Sequence, residues 1–175
     1  MKNNLNYFMT TKRIGFFKWN KEDLNEAQTL WGDQDVTHYI SASGSFTKEE
    51  IKKRLLLEIQ NEQRYEMQYW PMTLLGKQDF IGCCGLRPFP EEKNCAELGF
   101  HILKQYWGSG YAFEAAAKVC EYGFEHLHLN KIIAGHHPEN KASKRVLEKL
   151  DFCYVGDRFY DPTGLYHPSY EKNSP

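Results

Sequence analysis

Gly108 and Gly110, in the run Trp107-Gly108-Ser109-Gly110, are the residues whose type and spacing point most directly to chemistry. They follow an apolar, strand-like run from Ala96 to Leu103. They precede a helical pattern in which Phe113, Ala116, Ala117, Cys120, Phe124 and Leu127 share one face. Strand, glycine turn and helix in that order put free backbone N–H groups, with the positive end of the helix dipole, at the carboxyl end of a strand. That is a site for phosphate oxygens. Glycine permits φ > 0 and lets an anion approach the backbone closely. Glycine pairs also punctuate ordinary strand–helix connections, so the spacing alone leaves both readings open. Three commoner loops fail on spacing. The Lys of a Walker loop is absent, and Phe113 stands where a dinucleotide fingerprint needs its third glycine. Ser109 is flanked too closely by glycines for a nucleophile elbow.

The longer run Ala96-Glu97-Leu98-Gly99-Phe100…Tyr106-Trp107-Gly108-Ser109-Gly110-Tyr111-Ala112…Glu114-Ala115 resembles the acetyl-CoA motif of the GNAT superfamily of N-acetyltransferases. More narrowly, it resembles the branch that includes ribosomal-protein alanine N-acetyltransferases. Two registers fit the superfamily's Gln/Arg-x-x-Gly-x-Gly/Ala. Gln105 to Gly110 satisfies the letters. Trp107 to Ala112 keeps the branch's spacing, with Trp in place of Gln/Arg, and is preferred because it puts Ala112 on the first helical turn. A second stretch, Asn140-x-x-Ser143…Val146-Leu147-Glu148-Lys149-Leu150-x-Phe152, is similar to the superfamily except that Asp151 replaces the glycine of its Leu-Gly-Phe ending. Asp tolerates a left-handed helix end, though less readily than Gly.

The resemblance, from Thr11 to Phe152, implies an α/β fold with a central mixed sheet and helices on both faces. It also implies parallel strands that splay apart at the acetyl-CoA site. Backbone groups around Ile102 would face the pantetheine and the thioester carbonyl. The N–H groups of Trp107, Gly108, Ser109, Gly110, Tyr111 and Ala112 would hold the pyrophosphate, and Asn140 would reach the cofactor from the end of the next strand. The implied reaction is direct acetyl transfer in a ternary complex. The acceptor would be a protein N-terminal α-amine or a small-molecule amine, with acetyl-CoA as co-substrate and no metal. A non-catalytic acyl-CoA sensor is the alternative.

Such a reaction needs a group to take the amine's proton, donors to meet charge on the thioester oxygen, and an acid for the departing thiolate. Glu97, a carboxylate in the strand leading to the turn, is the first candidate for the base. Ser143 matches the serine that the branch places beside the cofactor sulfur and is the candidate acid. Tyr160 and Asp161 in the tail are rivals. His136 and His137 come after these, because adjacent residues beyond a strand diverge.

The elements that must position these groups read as follows. Thr11 to Trp19 forms a strand, and Asn20 caps a helix carrying Leu24, Ala27 and Trp31 on one face. The segment Trp31 to Ile40 resembles the superfamily's acceptor side, so its aromatics are candidates for the substrate pocket. Thr47 and Glu50 form a capping box, stapled by Phe46 and Ile51, ahead of an apolar stripe through Leu55 and Ile59. The charges of that helix read as a solvated face. Strands Tyr69–Leu75, Asp79–Leu86 and Ala96–Leu103 form an antiparallel meander, and Lys131–Gly135 pairs in parallel through a helical crossover. Val146, Leu147 and Leu150 face inward, and Phe152–Asp157 is a last strand.

The 175 residues suit a single domain, and 41% hydrophobic with 15% aromatic residues suits a packed core. A formal charge of −1 gives no reason to expect nucleic-acid or membrane partners. No charge-free apolar run approaches the ~18 residues of a membrane span, and Met1 to Asn6 lacks the apolar core of a signal peptide. Cys83, Cys84, Cys95, Cys120 and Cys153 are odd in number and show no Cys-x-x-Cys spacing, which reads as buried thiols in a reducing cytoplasm. A monomer or homodimer is expected.

Overall fold

Eight strands build one mixed sheet in the computed structural model, which describes residues 6–175. They are β1 (Met9–Thr10), β2 (Ile14–Phe16), β3 (Tyr69–Leu74), β4 (Phe80–Pro88), β5 (Cys95–Ile102), β6 (Lys131–Gly135), β7 (Cys153–Tyr160) and β8 (Leu165–Asn173). Their spatial order is β1-β2-β3-β4-β5-β6-β8-β7, and β5–β6 is the one parallel pair among the described residues. The helices are α1 (Leu24–Trp31), α2 (Gln34–Thr37), α3 (Lys48–Tyr65), α4 (Tyr111–Glu125) and α5 (Lys141–Lys149). The reading of Met1 to Asn6 falls, Asn6 apart, outside the described residues.

Successive strand residues face opposite sides of the sheet, which separates two cores. Trp70, Cys84, Leu86 and Leu98 pack with α4 and α5 through Ala116, Val119 and Leu147. Tyr69 and Cys83 pack on the other side with Leu30 and Trp31 of α1 and with Ile51 and Leu55 of α3. Adjacent Cys83 and Cys84 thus lie in different cores.

Side chains set several element ends. The Thr47–Glu50 capping box opens α3, with both reciprocal bonds formed, at 3.2 Å and 2.7 Å. Asn20 and Asp23 form a second box at the short 3-10 turn Lys21–Asp23 before α1. α5 ends in a Schellman motif: Phe152 N–H donates to the Leu147 carbonyl and Asp151 N–H to that of Glu148, each at 3.1 Å. Asp151 adopts φ 60°, the left-handed position where the superfamily's pattern has glycine.

The structure departs from the sequence reading at several points of the fold. The first strand is shorter than Thr11–Trp19, because Thr11 N–H bonds the Ile14 carbonyl in a turn that separates β1 from β2. The core face of α4 is Ala115, Ala116, Val119, Cys120 and Gly123, whereas Phe113 is exposed. The face is rotated because small residues let α4 lie close on the sheet: a Cβ at Gly123 would stand 3.0–3.2 Å from Leu86, Ile132 and Leu129. The tail forms β8, which inserts between β6 and β7. Cys153 is exposed, while the other four cysteines are buried. No helix among the described residues is long and apolar enough to cross a membrane.

Relief of the left-handed strain at Asp151 gives a direct test. Asp151→Gly should stabilise the fold by about 0.5–1 kcal/mol, the steric cost exceeding glycine's extra chain entropy. That corresponds to a rise in melting temperature of about 1–4 °C. An unchanged or lowered melting temperature would show that Asp151 carries no such strain.

Candidate active site

The parallel pair β5–β6 is registered over three residue pairs, Cys95–Lys131, Ala96–Ile132 and Glu97–Ile133. Beyond them β5 continues to Ile102 against β4, and β6 continues to Gly135 against β8. From Leu98 to Ile102 one edge of β5 therefore has no neighbouring strand. A cleft of about 1460 Å³ opens there, lined by residues of both sheet faces.

On the α4/α5 side the cleft meets the glycine turn. Gly108 and Gly110 have φ 74° and 80°, and a Cβ at Gly108 would meet nothing within 4 Å. Glycine is required at Gly108 for backbone conformation, not for room. Gly110 is the N-cap of α4 and supplies no side-chain acceptor, so first-turn N–H groups at Tyr111 and Ala112 lack helical partners. Gly108, Gly110, Tyr111 and Ala112 all line the cleft. This set of donors, with the helix dipole behind it, fits a pyrophosphate.

The turn is braced from behind. Arg13 donates from Nη1 to the Ser109 carbonyl at 3.1 Å and from Nε to Glu114 Oε2 at 2.6 Å, and its guanidinium lies 4.4 Å from the Tyr111 ring centroid. Glu114 also accepts from Thr11 Oγ1 at 2.6 Å and from Arg13 N–H at 3.0 Å. Although burial opposes it, these bonds from Thr11 and Arg13 hold its carboxyl below the usual range. Ser109 faces this brace and is outside the cleft lining. Trp107 Nε1–H donates to the Ile102 carbonyl at 2.6 Å, tying the turn to the end of β5. Asn140 and Ser143 line the opposite wall, where Asn140 Oδ1 caps α5 by accepting Ser143 N–H at 3.0 Å.

On the α1–α3 side, period-2 alternation puts Glu97, Gly99 and His101 on one face of β5. Gly99 makes room for Tyr69, since a Cβ there would fall 2.3 Å from the ring and hydroxyl. Glu97 sits opposite Arg87 in the β4–β5 register, where pairing to β6 ends. Burial raises its carboxyl pKa, with Arg87 and Arg158 opposing. His101 Nδ1 accepts from Trp31 Nε1–H at 3.2 Å, which leaves the proton of the neutral ring on Nε2. Burial, followed by Arg54 and Arg87, holds that imidazole well below its ordinary pKa. Tyr160 lines the same space and burial raises its phenol, so it stays protonated; exposed Asp161 is outside the lining. His136 and His137 diverge as expected: His136 lies 5.5 Å from Tyr170, His137 lies 5.3 Å from Tyr39 and 5.6 Å from His167.

Sequence reasoning passed over Arg54, Glu58, Tyr69, Arg87 and His101. Glu58 is fully buried, so the charges of α3 are not all a solvated face. The signal was present, because Arg54 and Glu58 stand three and seven residues after Ile51, on its side of the helix. Among the described residues no group of three or more His, Cys, Asp or Glu could hold a metal ion.

Residues 13–153 match the family model described as an acetyltransferase (GNAT) domain. The chain belongs to the GNAT acetyltransferase family. It is 33% identical over 148 residues to the uncharacterized N-acetyltransferase p20 of Bacillus licheniformis, covering 83% of this chain and 82% of that protein. Among solved structures, a GNAT-family acetyltransferase from Bacillus anthracis superposes with TM-score 0.78 at 24% identity, over 94% of this chain and 97% of the other. RimL, a ribosomal L7/L12 alpha-N-protein acetyltransferase in complex with coenzyme A, superposes with TM-score 0.80 at 13% identity, over 96% and 98%. This GNAT protein is an acetyl-CoA-dependent N-acetyltransferase, and its mixed sheet with helices on both faces is the fold of those neighbours.

The turn can be tested through binding. Acetyl-CoA at ~100 times its dissociation constant should stabilise the wild type by roughly 2.7 kcal/mol. Gly108→Asp brings a carboxylate to the pyrophosphate position and should abolish that thermal shift while the protein stays folded. A shift of unchanged size in the variant would remove the turn from the site.

Proposed function

We propose that this enzyme acetylates its amine acceptor by direct transfer at the β5–β6 gap, with Glu97 taking the proton from the amine. The observation that carries the reading is the position of Glu97. It is the last β5 residue paired to β6, it lines the cleft, and its carboxyl is raised toward the range useful to a base. Acetyl-CoA supplies the activated acetyl group. The backbone N–H groups of Gly108, Gly110, Tyr111 and Ala112 bind and orient the pyrophosphate, with Trp107 and Ser109 holding the turn's shape. Backbone groups near Ile102, on the unpaired edge, orient the pantetheine. Asn140 fixes the start of α5 so that Ser143 stands on the cleft wall, from which its hydroxyl protonates the departing thiolate. Burial pushes the Cys83 and Cys84 thiols up and the Cys120 thiol to about 12, which supports a route without a cysteine nucleophile.

The acceptor class is a protein N-terminal α-amine or a small amine. The RimL likeness supports the former by analogy of fold alone, and the Tyr39 and Tyr160 side chains lining the cleft suit either. We assign the activity to one catalytic domain in the cytoplasm, working as a monomer or homodimer.

Glu97→Gln should keep acetyl-CoA affinity and lose on the order of 10²–10⁴ in turnover. Activity should rise with pH through the raised Glu97 pKa, so the wild-type acidic limb lies above the ordinary carboxylate range, and the variant should lose or displace it. Two acceptors of different amine pKa separate enzyme from substrate: a limb that follows the acceptor belongs to the acceptor. Stability gives a second readout. Between the unfolded and the raised folded pKa the folded state binds more protons, so stability falls as pH rises through that window. Glu97→Gln removes this loss and should melt higher than wild type at neutral pH. Near wild-type turnover with the same pH profile would make Glu97 structural.

Ser143→Ala should slow turnover while leaving the acidic limb in place, as measured by the pH–rate profile. Full activity in that variant would exclude Ser143 as the acid.

A further inference from the structure

The α1–α3 side of the cleft holds a cation that makes no direct ion pair. Arg54 projects from α3 and lines the cleft, with its guanidinium 5.0 Å from the Trp31 ring centroid and 5.6 Å from that of Phe46. Its Nε is buried and has no hydrogen-bond acceptor, and no described carboxylate lies within ion-pair distance of it. The buried carboxylate one turn further along α3 is already engaged. Glu58 accepts Tyr69 N–H through Oε2 at 2.8 Å and pairs through Oε1 with Arg87 Nη2. Arg87 lies over the Tyr69 ring at 4.2 Å, and its own Nε is also buried without an acceptor.

A desolvated guanidinium is costly unless an anion or several acceptors complete it. Stacking on aromatic rings offsets part of that cost and fixes the plane of the fork, but leaves the buried Nε–H unsatisfied. A carboxylate answers this geometry, because its two oxygens match two parallel N–H groups of arginine. Glu97 lines the same space and offers the opposite charge.

We propose that Arg54, backed by Arg87, forms an anion subsite of the acceptor pocket, and that the acceptor is an amine carrying a carboxylate on the same molecule. The ammonium end lies toward Glu97, and the carboxylate end pairs with Arg54. An amine lacking the anion would leave the Arg54 guanidinium without an ion-pair partner, which discriminates against it. The identity of the acceptor rests on the acetyl-transfer reading above; the anion subsite itself does not. The carboxylate can belong to a free amino acid or to an acidic residue near a protein N-terminus, and the two sources are separable.

The test compares carboxylate acceptors with their amides. The free series is 4-aminobutyrate against 4-aminobutyramide and alanine against alaninamide. The peptide series is Ser-Glu- against Ser-Gln-initiated peptides. The carboxylate member of the preferred series should be favoured in kcat/KM on the order of tenfold to a hundredfold. The series in which the preference is found identifies the source. Arg54→Gln should bring the ratio to near one while acetyl-CoA still raises the melting temperature; Arg54→Lys should keep part of the preference. Ratios near one in both series with wild type, or a preference unchanged in Arg54→Gln, overturn the proposal. Glutarate supplies a readout that needs no turnover. It should raise the melting temperature of wild type more than that of Arg54→Gln. That result with no amine turned over keeps the subsite and sinks the acetyl-transfer reading, whereas equal glutarate effects with turnover intact sink the subsite alone.

Discussion

Everything at the site depends on β5 and β6 being parallel neighbours for three residue pairs and no further. Each has a better partner on its other side: β4 bonds β5 from Ala96 to Ile102, and β8 bonds β6 along its whole length. Adjacent strands rotate relative to one another in any twisted sheet, so two strands each held by a separate ribbon can diverge without losing those ribbons. The divergence leaves a stretch of β5 edge in a cleft instead of in a ladder. It also places the starts of α4 and α5 on either side of the opening, at the carboxyl ends of both parallel strands.

The two sides of the opening are built from different physics. On the α4/α5 side the resource is backbone: left-handed glycines, uncapped first-turn N–H groups, and a turn held rigid by Arg13 and Glu114 from outside the cleft. On the α1–α3 side the resource is buried charge. Glu58 joins α3 to β3 through Tyr69 N–H and to β4 through Arg87, and Gln68 extends the network by donating to the Glu58 carbonyl at 3.2 Å and accepting Trp19 N–H at 2.7 Å. Removing one member of such a network leaves another polar group unpaired in a low dielectric. That makes the wall stiff where Glu58, Tyr69 and Arg87 meet.

A backbone connection closes the far end of this wall. Ala42 N–H donates to the Pro162 carbonyl at 2.7 Å, joining the segment after α2 to the β7–β8 loop. The tail therefore lines the cleft through Tyr160 and His167, although its β8 strand serves the sheet.

Much of this was determined by sequence alone, wherever the cause is local. The Thr47–Glu50 box, the strand–turn–helix around Gly108 and Gly110 and the left-handed Asp151 each depend on residues within a few positions of one another, so their types and spacing carry the information. The alternation along β5 likewise put Glu97 on a definite face, and the crossover helix required a parallel strand to follow. Tertiary structure decided the rest, because those features depend on partners far apart in the chain. The Tyr, Pro and Asp of the tail show no clean alternation, since β7 is exposed for most of its length, and β8 became a strand only by finding β6 and β7. Arg54 and Glu58 read as surface charges until Arg87 and Tyr69, 29 and 11 residues beyond Glu58, arrived beside them. The gap itself has no residue code: it exists because β4 and β8 hold β5 and β6 from opposite sides, and no short segment of sequence contains that competition.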